Sequence, residues 1–521
     1  EEADNDRLAA ALATIGGGSG ATTFHLPSPR RTPALMLQGT SSDAGKSILT
    51  AALGRIMLQD GYDVAPFKAQ NMSLNSYVTP DGGEIGRAQA LQAEACRLDP
   101  EVRMNPILLK PASDTGSQVV VLGRPEGNLR VREYYAAKQR LFERVNQAYD
   151  TLAAEHEVML LEGAGSPGEI NLKATDIVNM NMARHAAAPV LLVGDIDRGG
   201  VYASFLGMYE TFERWERQWL RGFLVNKFRG DTSLLAPAHD YLLERTGKPV
   251  LGVVPFLPEL RLPAEDSLSF DLIPTGKKDA DALDTALIVV GHLANFTDFA
   301  PLELEPDVQI RHVRRAADLG TPDLIILPGS KNVVADMASL WQSRLAEAII
   351  AQVKEGAWLV GICGGLQFSG EEIRDPRGVE AAAGENIRAL GLLPLITELG
   401  AEKQLRQTRG IWTAKNLPVE GYEIHHGITS CRKPELIAIP GDHGYPLGFA
   451  AGRVWTTYLH GVFDRDRFRR EFIDLIRVDR GRPPRGAIQA TYELEPELNR
   501  LADHVRRHVD MAAIYRLMGL S

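Results

Sequence analysis

The chain has 521 residues, of which 44% are hydrophobic and 24% are charged, and its formal net charge is −10. A chain of this length allows several domains at roughly 150 residues each, and its acidic balance argues against a nucleic-acid surface, which needs clustered Lys and Arg. The three cysteines suit a reducing compartment and match neither a disulfide framework nor a zinc site. No apolar run approaches the ~18 residues that span a bilayer. We therefore expect a cytoplasmic protein without a nucleic-acid or membrane partner.

Residues 1–32 are rich in Gly, Ser and Pro and predict a flexible segment. Short apolar runs then recur between segments of helical length, which predicts the buried parallel strands of an α/β fold. The first group of runs comprises 34–37, 158–161, 189–193, 222–225 and 250–254.

A polar, proline-containing stretch at 258–284 interrupts this rhythm, which restarts with apolar runs at 286–290, 323–327 and 357–360. The pattern predicts two α/β domains, 33–257 and 285–484, joined by a linker at 258–284. Residues 485–521 are predicted to form a polar, helical C-terminal segment.

A glycine-rich loop follows the first predicted strand and precedes a predicted helix at 48–58. Such a loop cradles phosphates with its backbone N–H groups, while its Lys neutralises phosphate charge and its Ser hydroxyl ligates Mg²⁺. The spacing has five residues between the glycines, where the strict form has four. The candidate nucleotide-binding residues of this loop are Gly39, Thr40, Asp43, Ala44, Gly45, Lys46 and Ser47.

Polar residues stand at the ends of other predicted strands, where the phosphates are expected to lie. Glu162 follows the strand at 158–161 and is a candidate Mg²⁺ ligand. Asp195 and Asn226 end the next two strands, and Lys68 is a candidate source of positive charge at the phosphates.

Gly361-Ile362-Cys363-Gly364-Gly365 follows the predicted strand at 357–360. Glycines on both sides of a cysteine permit the tight turn that lifts a nucleophile clear of a sheet. The amide of Gly364 and those of the segment 328–330, after the strand at 323–327, are candidate oxyanion donors.

A thiol needs a general base, because the thiolate is the nucleophile. The candidates in the C-terminal part are His425, His426, His443 and His460. Spacing alone does not choose between them, although His460 follows a strand-like run at 453–457.

Several long segments resemble the cobyric acid synthase family, the glutamine-dependent amidases of cobalamin biosynthesis, over about residues 34–485. These segments, in chain order, are 38–47, 68–73, 162–167, 194–200, 327–331, 361–365, 421–425 and 458–461. The resemblance implies a P-loop domain similar to dethiobiotin synthetase, which shares the five-residue loop spacing, followed by a class I glutamine amidotransferase domain.

The resemblance also implies ATP and Mg²⁺ as cofactors, glutamine and a corrinoid as substrates, Cys363 and His460 as the glutaminase pair, and Glu84 as a further metal ligand beside Ser47 and Glu162. The implied reaction amidates the b, d, e and g carboxylates of adenosylcobyrinic acid a,c-diamide. Most class I amidotransferases have Glu two residues after the histidine, whereas Val462 stands here. A backbone carbonyl or Glu423 is then the alternative partner of the imidazole.

Two other functions are alternatives to this one. The related enzyme that makes cobyrinic acid a,c-diamide shares the same architecture, and product mass would separate the two. A partition-type P-loop switch ATPase carries a second Lys near the start of the loop, where this chain has Ser41.

Overall fold

The computed structural model describes residues 31–113, 116–258, 260–263, 278–381, 383–441 and 445–520. Residues 1–30, the greater part of the predicted linker and His443 lie outside them. Residues 33–521 form one compact unit with two large sheets, one parallel and one mixed, and the predicted α/β class is confirmed. No helix in the described parts of the chain is long and apolar enough to cross a membrane.

The first sheet has six parallel strands and begins at the predicted first strand. Its central strand, Ala34–Gly39, is buried along its whole length, as expected for a parallel strand covered on both faces. From one edge to the other the strands are Val250–Pro255, Leu220–Phe228, Val190–Asp195, Ala34–Gly39, Val158–Glu162 and Val64–Phe67.

The helices of this half connect or flank these strands. They are Lys46–Gln59, Arg87–Ala95, Val131–Ala153, Met180–His185, Val201–Thr211, Arg214–Trp219 and Ala236–Thr246. A four-stranded sheet lies beside them, with the strands Gln70–Met72, Ile107–Ser113, Gly116–Val121 and Arg124–Arg130.

The second large sheet has seven strands, of which the first five are parallel and the last two antiparallel. In spatial order they are Val308–Val313, Leu283–Ile288, Leu324–Leu327, Trp358–Ile362, Val454–Thr457, Pro446–Ala451 and Ile437–Pro440. One of them begins at Leu283, inside the predicted linker, because Leu283 is fully buried and pairs with Val308.

The helices of this second half are Ala300–Leu304, Val333–Gln342, Leu345–Lys354, Gly364–Ser369 and Asp466–Asp479. A second four-stranded sheet comprises Glu385–Arg388, Glu372–Asp375, Leu395–Trp412 and Leu417–Cys431. Leu293–Ala294 pairs with Gly329–Ser330 in a short antiparallel ladder.

The C-terminal segment predicted as helical contains two helices after a non-helical stretch at 485–493, and it returns to the first half of the chain. Its helices are Leu494–Arg506 and Met511–Met518. Leu501, Val505 and Ile514 share one buried cluster with Leu53 of the helix that follows the glycine-rich loop. The two C-terminal helices therefore pack against the nucleotide-binding half of the chain.

A short hairpin joins the two halves. Its strands are Ser76–Val78 and Glu84–Gly86, both from the first half. The hydroxyl of Tyr422, in the second half, donates to the carbonyl of Ser76 at 3.0 Å, and the Ser76 amide donates to Oδ1 of Asn295 at 2.9 Å. The hairpin thus brings the first half against residues that lie beside the predicted glutaminase site.

Candidate active site

The glycine-rich loop connects the central strand Ala34–Gly39 to the helix Lys46–Gln59. Gly45 has a φ of 92°, a conformation that favours glycine, and a Cβ on Gly39 would lie 2.9 Å from Nζ of Lys46. That ammonium folds back over the loop, donating to the carbonyls of Ser41 at 2.9 Å and Ser42 at 3.0 Å. The loop therefore has the geometry that holds phosphate between backbone N–H groups and a lysine.

Ser47 and Glu162 meet at the carboxyl edge of the first sheet. The Ser47 hydroxyl donates to Oε1 of Glu162 at 2.8 Å, and Nζ of Lys68 donates to the same oxygen at 2.8 Å. Gln92 donates to the other carboxylate oxygen at 2.6 Å. The hydroxyl and carboxylate oxygens that the sequence assigned to Mg²⁺ thus lie together, and this pair of hard oxygen donors fits that cation.

Asp195, Asn226 and Asp43 occupy the other flank of the loop. Nδ2 of Asn226 donates to the carbonyl of Ala44 at 2.9 Å, so that its amide braces the loop. Lys227 connects the carbonyl of Asp43 at 2.8 Å with Oδ2 of Asp195 at 2.9 Å. The backbone amide of Thr40 donates to the carbonyl oxygen of Val193 at 2.9 Å, which fixes the start of the loop.

The structure does not join Glu84 to Ser47 and Glu162. The two oxygens of its fully buried carboxylate accept from Nζ of Lys110 at 2.6 Å and from Nζ of Lys403 at 2.5 Å. Burial alone would raise the pKa of Glu84, but these two ammonium groups hold it well below its ordinary value. Glu84 belongs instead to a contact between the two halves, because Lys403 lies in the second.

Cys363 lies on the turn between the strand Trp358–Ile362 and the helix Gly364–Ser369. Its φ of 54° and ψ of −102° are a strained conformation for a residue with a side chain, typical of a nucleophile elbow. A Cβ on Gly365 would lie 2.0 Å from the carbonyl of Leu327, so the turn requires glycine at that position. The elbow predicted from the glycines is what the structure shows.

The segment that ends the neighbouring strand approaches this turn closely. A Cβ on Gly364 would lie 2.7 Å from the backbone nitrogen of Ser330. The backbone of Gly364 thus approaches the amide nitrogen of Ser330 beside Cys363, which keeps the amides of these two residues as the candidate oxyanion donors.

His460 is the histidine that the fold brings to Cys363, and an acid missed by the sequence reasoning orients it. Its Nδ1 is 2.7 Å from Oδ2 of Asp298, whose other oxygen accepts from the Gly461 amide at 2.9 Å. Burial alone would lower the pKa of His460, but the Asp298 carboxylate and the Cys363 thiol raise it to about 10. Because Nδ1 is paired with Asp298, Nε2 is the ring nitrogen that can accept the proton of the Cys363 thiol.

Glu423, the predicted alternative partner of the imidazole, is engaged elsewhere. Its carboxylate accepts from Nε of Arg406 at 2.5 Å and lies 3.2 Å from Nε2 of His425. His425 also stacks on Tyr458, and burial followed by nearby lysines lowers the pKa of His426 to about 3. Both histidines line the cavity beside Cys363. Both ring nitrogens of His425 are engaged, by Glu423 and by the Gly427 carbonyl, whereas His460 is paired with Asp298 through Nδ1 in the manner of a catalytic base.

No spacing rule could have found Asp298, because it stands 162 residues before His460. It lies in the 3₁₀ helix Phe296–Phe299, in a loop beyond the first strand of the second domain. Val462, at the position where a class I enzyme would carry the acid, is buried in the hydrophobic core. The acid that the sequence left unassigned is therefore present and comes from the other end of the domain.

A phosphate-binding loop with an acid at the strand edge, followed by a Cys–His–Asp glutaminase site, defines a nucleotide-dependent glutamine amidotransferase. Family models agree: residues 35–270 match the CobQ/CobB/MinD/ParA nucleotide binding domain, and residues 284–468 match the CobB/CobQ-like glutamine amidotransferase domain.

The curated relatives are more specific. The chain is 54% identical to the cobyric acid synthase of Nitratidesulfovibrio vulgaris, over 94% of this chain and 98% of the relative. It is 48% identical to the cobyric acid synthase of Desulfitobacterium hafniense, over 93% of this chain and 98% of that relative. A solved glutamine amidotransferase aligns with 37% of this chain and 97% of its own length at 15% identity, with a TM-score of 0.29, too low to add to the argument.

The chain belongs to the cobyric acid synthase family, whose members are glutamine-dependent ligases of cobalamin biosynthesis. The family recognised from the sequence, the order of the two domains and the dependence on ATP are thereby confirmed.

Proposed function

We propose that this chain amidates the b, d, e and g carboxylates of adenosylcobyrinic acid a,c-diamide to give adenosylcobyric acid, using glutamine as nitrogen donor and Mg·ATP as activator. The observation that carries the proposal is the presence, in one compact unit, of the Cys363–His460–Asp298 arrangement and of the phosphate loop with Glu162. Neither site alone makes an amide from glutamine, whereas the two together can.

The glutaminase half releases ammonia. His460 takes the thiol proton of Cys363 at Nε2, and the thiolate attacks the side-chain amide carbon of glutamine. The amides of Gly364 and Ser330 stabilise the tetrahedral oxyanion. The imidazolium then protonates the leaving nitrogen, which departs as ammonia and leaves a thioester that water hydrolyses to glutamate.

Asp298 supports this cycle by holding the imidazole in one orientation and by stabilising its charged form, as the raised pKa of His460 indicates. A pKa of about 10 stabilises the imidazolium that forms when His460 takes the thiol proton.

The nucleotide half activates the acceptor. Backbone amides of the loop and Lys46 bind the β- and γ-phosphates, and a corrinoid carboxylate attacks the γ-phosphorus to form an acyl phosphate and ADP. Ammonia then displaces phosphate to give the amide. Ser47 and Glu162 would hold Mg²⁺, which neutralises phosphate charge when bound, while Lys68 and Gln92 fix the Glu162 carboxylate.

The proposal is tested by incubating the purified chain with glutamine, Mg·ATP and the a,c-diamide, followed by mass spectrometry of the corrinoid. We expect each of the b, d, e and g carboxylates to be converted to an amide, with ATP consumed in step. Parallel incubation with cobyrinic acid examines the related reaction, since amidation of that substrate at a and c alone would contradict the proposal.

A further inference from the structure

One wall of the glutaminase cavity comes from the nucleotide-binding half. The cavity beside Cys363 is lined by Lys331 and Lys403 of the second half and also by Lys110. Lys110 lies on the strand Ile107–Ser113 of the first half. Three lysine side chains from two parts of the fold therefore converge on the cavity that holds the nucleophile.

Lys110 is held rigidly in this wall. Its ammonium donates to Oγ of Ser76 at 2.8 Å and to Oε1 of Glu84 at 2.6 Å. The other oxygen of Glu84 accepts from Lys403 at 2.5 Å. The side chains of Lys110, Lys403 and Glu84 are at most 5% exposed, so solvent screens this bridge poorly.

The cavity carries more positive than negative charge near this bridge. Three ammonium groups meet two carboxylates here: Glu84 is shared by Lys110 and Lys403, and Glu380, which also lines the cavity, acts on Lys331. Burial lowers the pKa of Lys403 to about 7 and, together with the Lys110 ammonium, lowers that of Lys331. Clustered buried cations are costly and favour the approach of an anion.

Glutamine carries an anionic group, its α-carboxylate, at the end opposite its side-chain amide. Its side-chain amide carbon must sit at Cys363, and its α-carboxylate lies at the other end of the same short chain. A carboxylate is also the group with which lysine ammonium groups form charge-assisted hydrogen bonds. The lysine wall is therefore complementary to the α-carboxylate of a glutamine whose amide is placed for attack.

We propose that Lys110, with Lys331 and Lys403, binds the α-carboxylate of glutamine, so that the glutamine pocket is complete only with a residue of the nucleotide-binding half. The inference rests on the proposed glutaminase activity of Cys363. Lys110 is then a substrate-binding residue that lies outside the amidotransferase domain, and glutamine affinity depends on the contact between the halves.

The test compares L-glutamine with 4-aminobutanamide, which keeps the amide and the amine but lacks the α-carboxylate. Ammonia release from both is measured for the wild type, Lys110→Met, Lys110→Arg and the exposed-surface control Lys354→Met. Lys110→Met would deprive the α-carboxylate of bound glutamine of one charged partner. Removing one partner of a buried charge pair weakens binding by about tenfold or more. We expect Lys110→Met to lose that much kcat/KM for glutamine, chiefly through KM.

The same variant should hydrolyse 4-aminobutanamide at the wild-type rate, and Lys110→Arg should recover most of the glutamine activity. The inference would be overturned if Lys110→Met lost kcat/KM equally on both substrates, or if it lost none on glutamine. Amidation with ammonium salts reports whether the variant is folded, and Lys403→Met provides the same comparison if it is not. A wild type that releases no ammonia from glutamine would instead contradict the proposed function.

Discussion

The two catalytic centres of this chain are assembled in opposite ways. The phosphate site is local, because nine consecutive residues, 39–47, supply the loop, the lysine and the hydroxyl, and one strand end adds Glu162. The glutaminase site is dispersed, because Asp298 and His460 are 162 residues apart and meet only in the folded domain. Binding a phosphate needs a run of backbone N–H groups, whereas positioning an imidazole needs one carboxylate that any part of the fold can supply.

The largest effect is expected at the local site. Lys46→Ala removes the charge that neutralises the phosphates, so amidation with either glutamine or ammonium salts should fall by at least ~10²-fold. Steady-state ADP formation with the a,c-diamide measures this loss. Ammonia release from glutamine by the same variant is the internal control, because Lys46 does not line the glutaminase cavity. Wild-type amidation from ammonium salts would contradict the role of the loop.

The dispersed site is tested by Asp298→Asn. This change keeps the size of the side chain but removes the charge that raises the pKa of His460, so glutamine-dependent activity should fall on the order of 10²-fold or more. Amidation from ammonium salts should be unaffected.

The pH profile of the same variant sharpens the test. In the wild type the imidazolium persists until the pH approaches about 10. In Asp298→Asn it is lost at lower pH, so the alkaline limb of kcat/KM for glutamine should move downward. An unchanged limb would show that Asp298 does not control the imidazole.

The smallest effect on turnover is expected for Val462→Glu, which places an acid at its usual class I position. Because Asp298 already binds Nδ1 of His460, the new carboxylate should not increase ammonia release from glutamine in the absence of ATP and corrinoid. Val462 is 1% exposed, so a buried charge there should cost about 3 kcal/mol or more of stability. Thermal unfolding of Val462→Glu and of the uncharged control Val462→Ala measures that cost, and faster uncoupled hydrolysis would contradict the role of Asp298.

The contrast between the sites also explains what could be predicted from the sequence. Gly39–Ser47 and the Cys363 turn were predicted because glycines at fixed offsets are required wherever a backbone approaches a phosphate or bends sharply. The strands were recognised as apolar runs, although Leu283 already belongs to one inside the predicted linker.

Asp298 and the lysine wall could not be predicted, because each depends on contacts between residues distant in the chain. Glu84 illustrates the difficulty. An acid in the nucleotide half resembles a metal ligand in sequence, but in the fold its carboxylate lies between Lys110 and Lys403. The C-terminal helices were predicted as helices, yet their return to Leu53 follows only from tertiary packing.

The central claim is that one half makes ammonia and the other consumes it, and the Cys363→Ala variant tests it most directly. Corrinoid amidation is measured by mass spectrometry with glutamine or with ammonium salts as the nitrogen source, under Mg·ATP. We predict that the variant forms no amide from glutamine and amidates at the wild-type rate from ammonium salts. Loss of both activities in a folded variant, or retention of the glutamine-dependent one, would contradict the division of labour between the two sites.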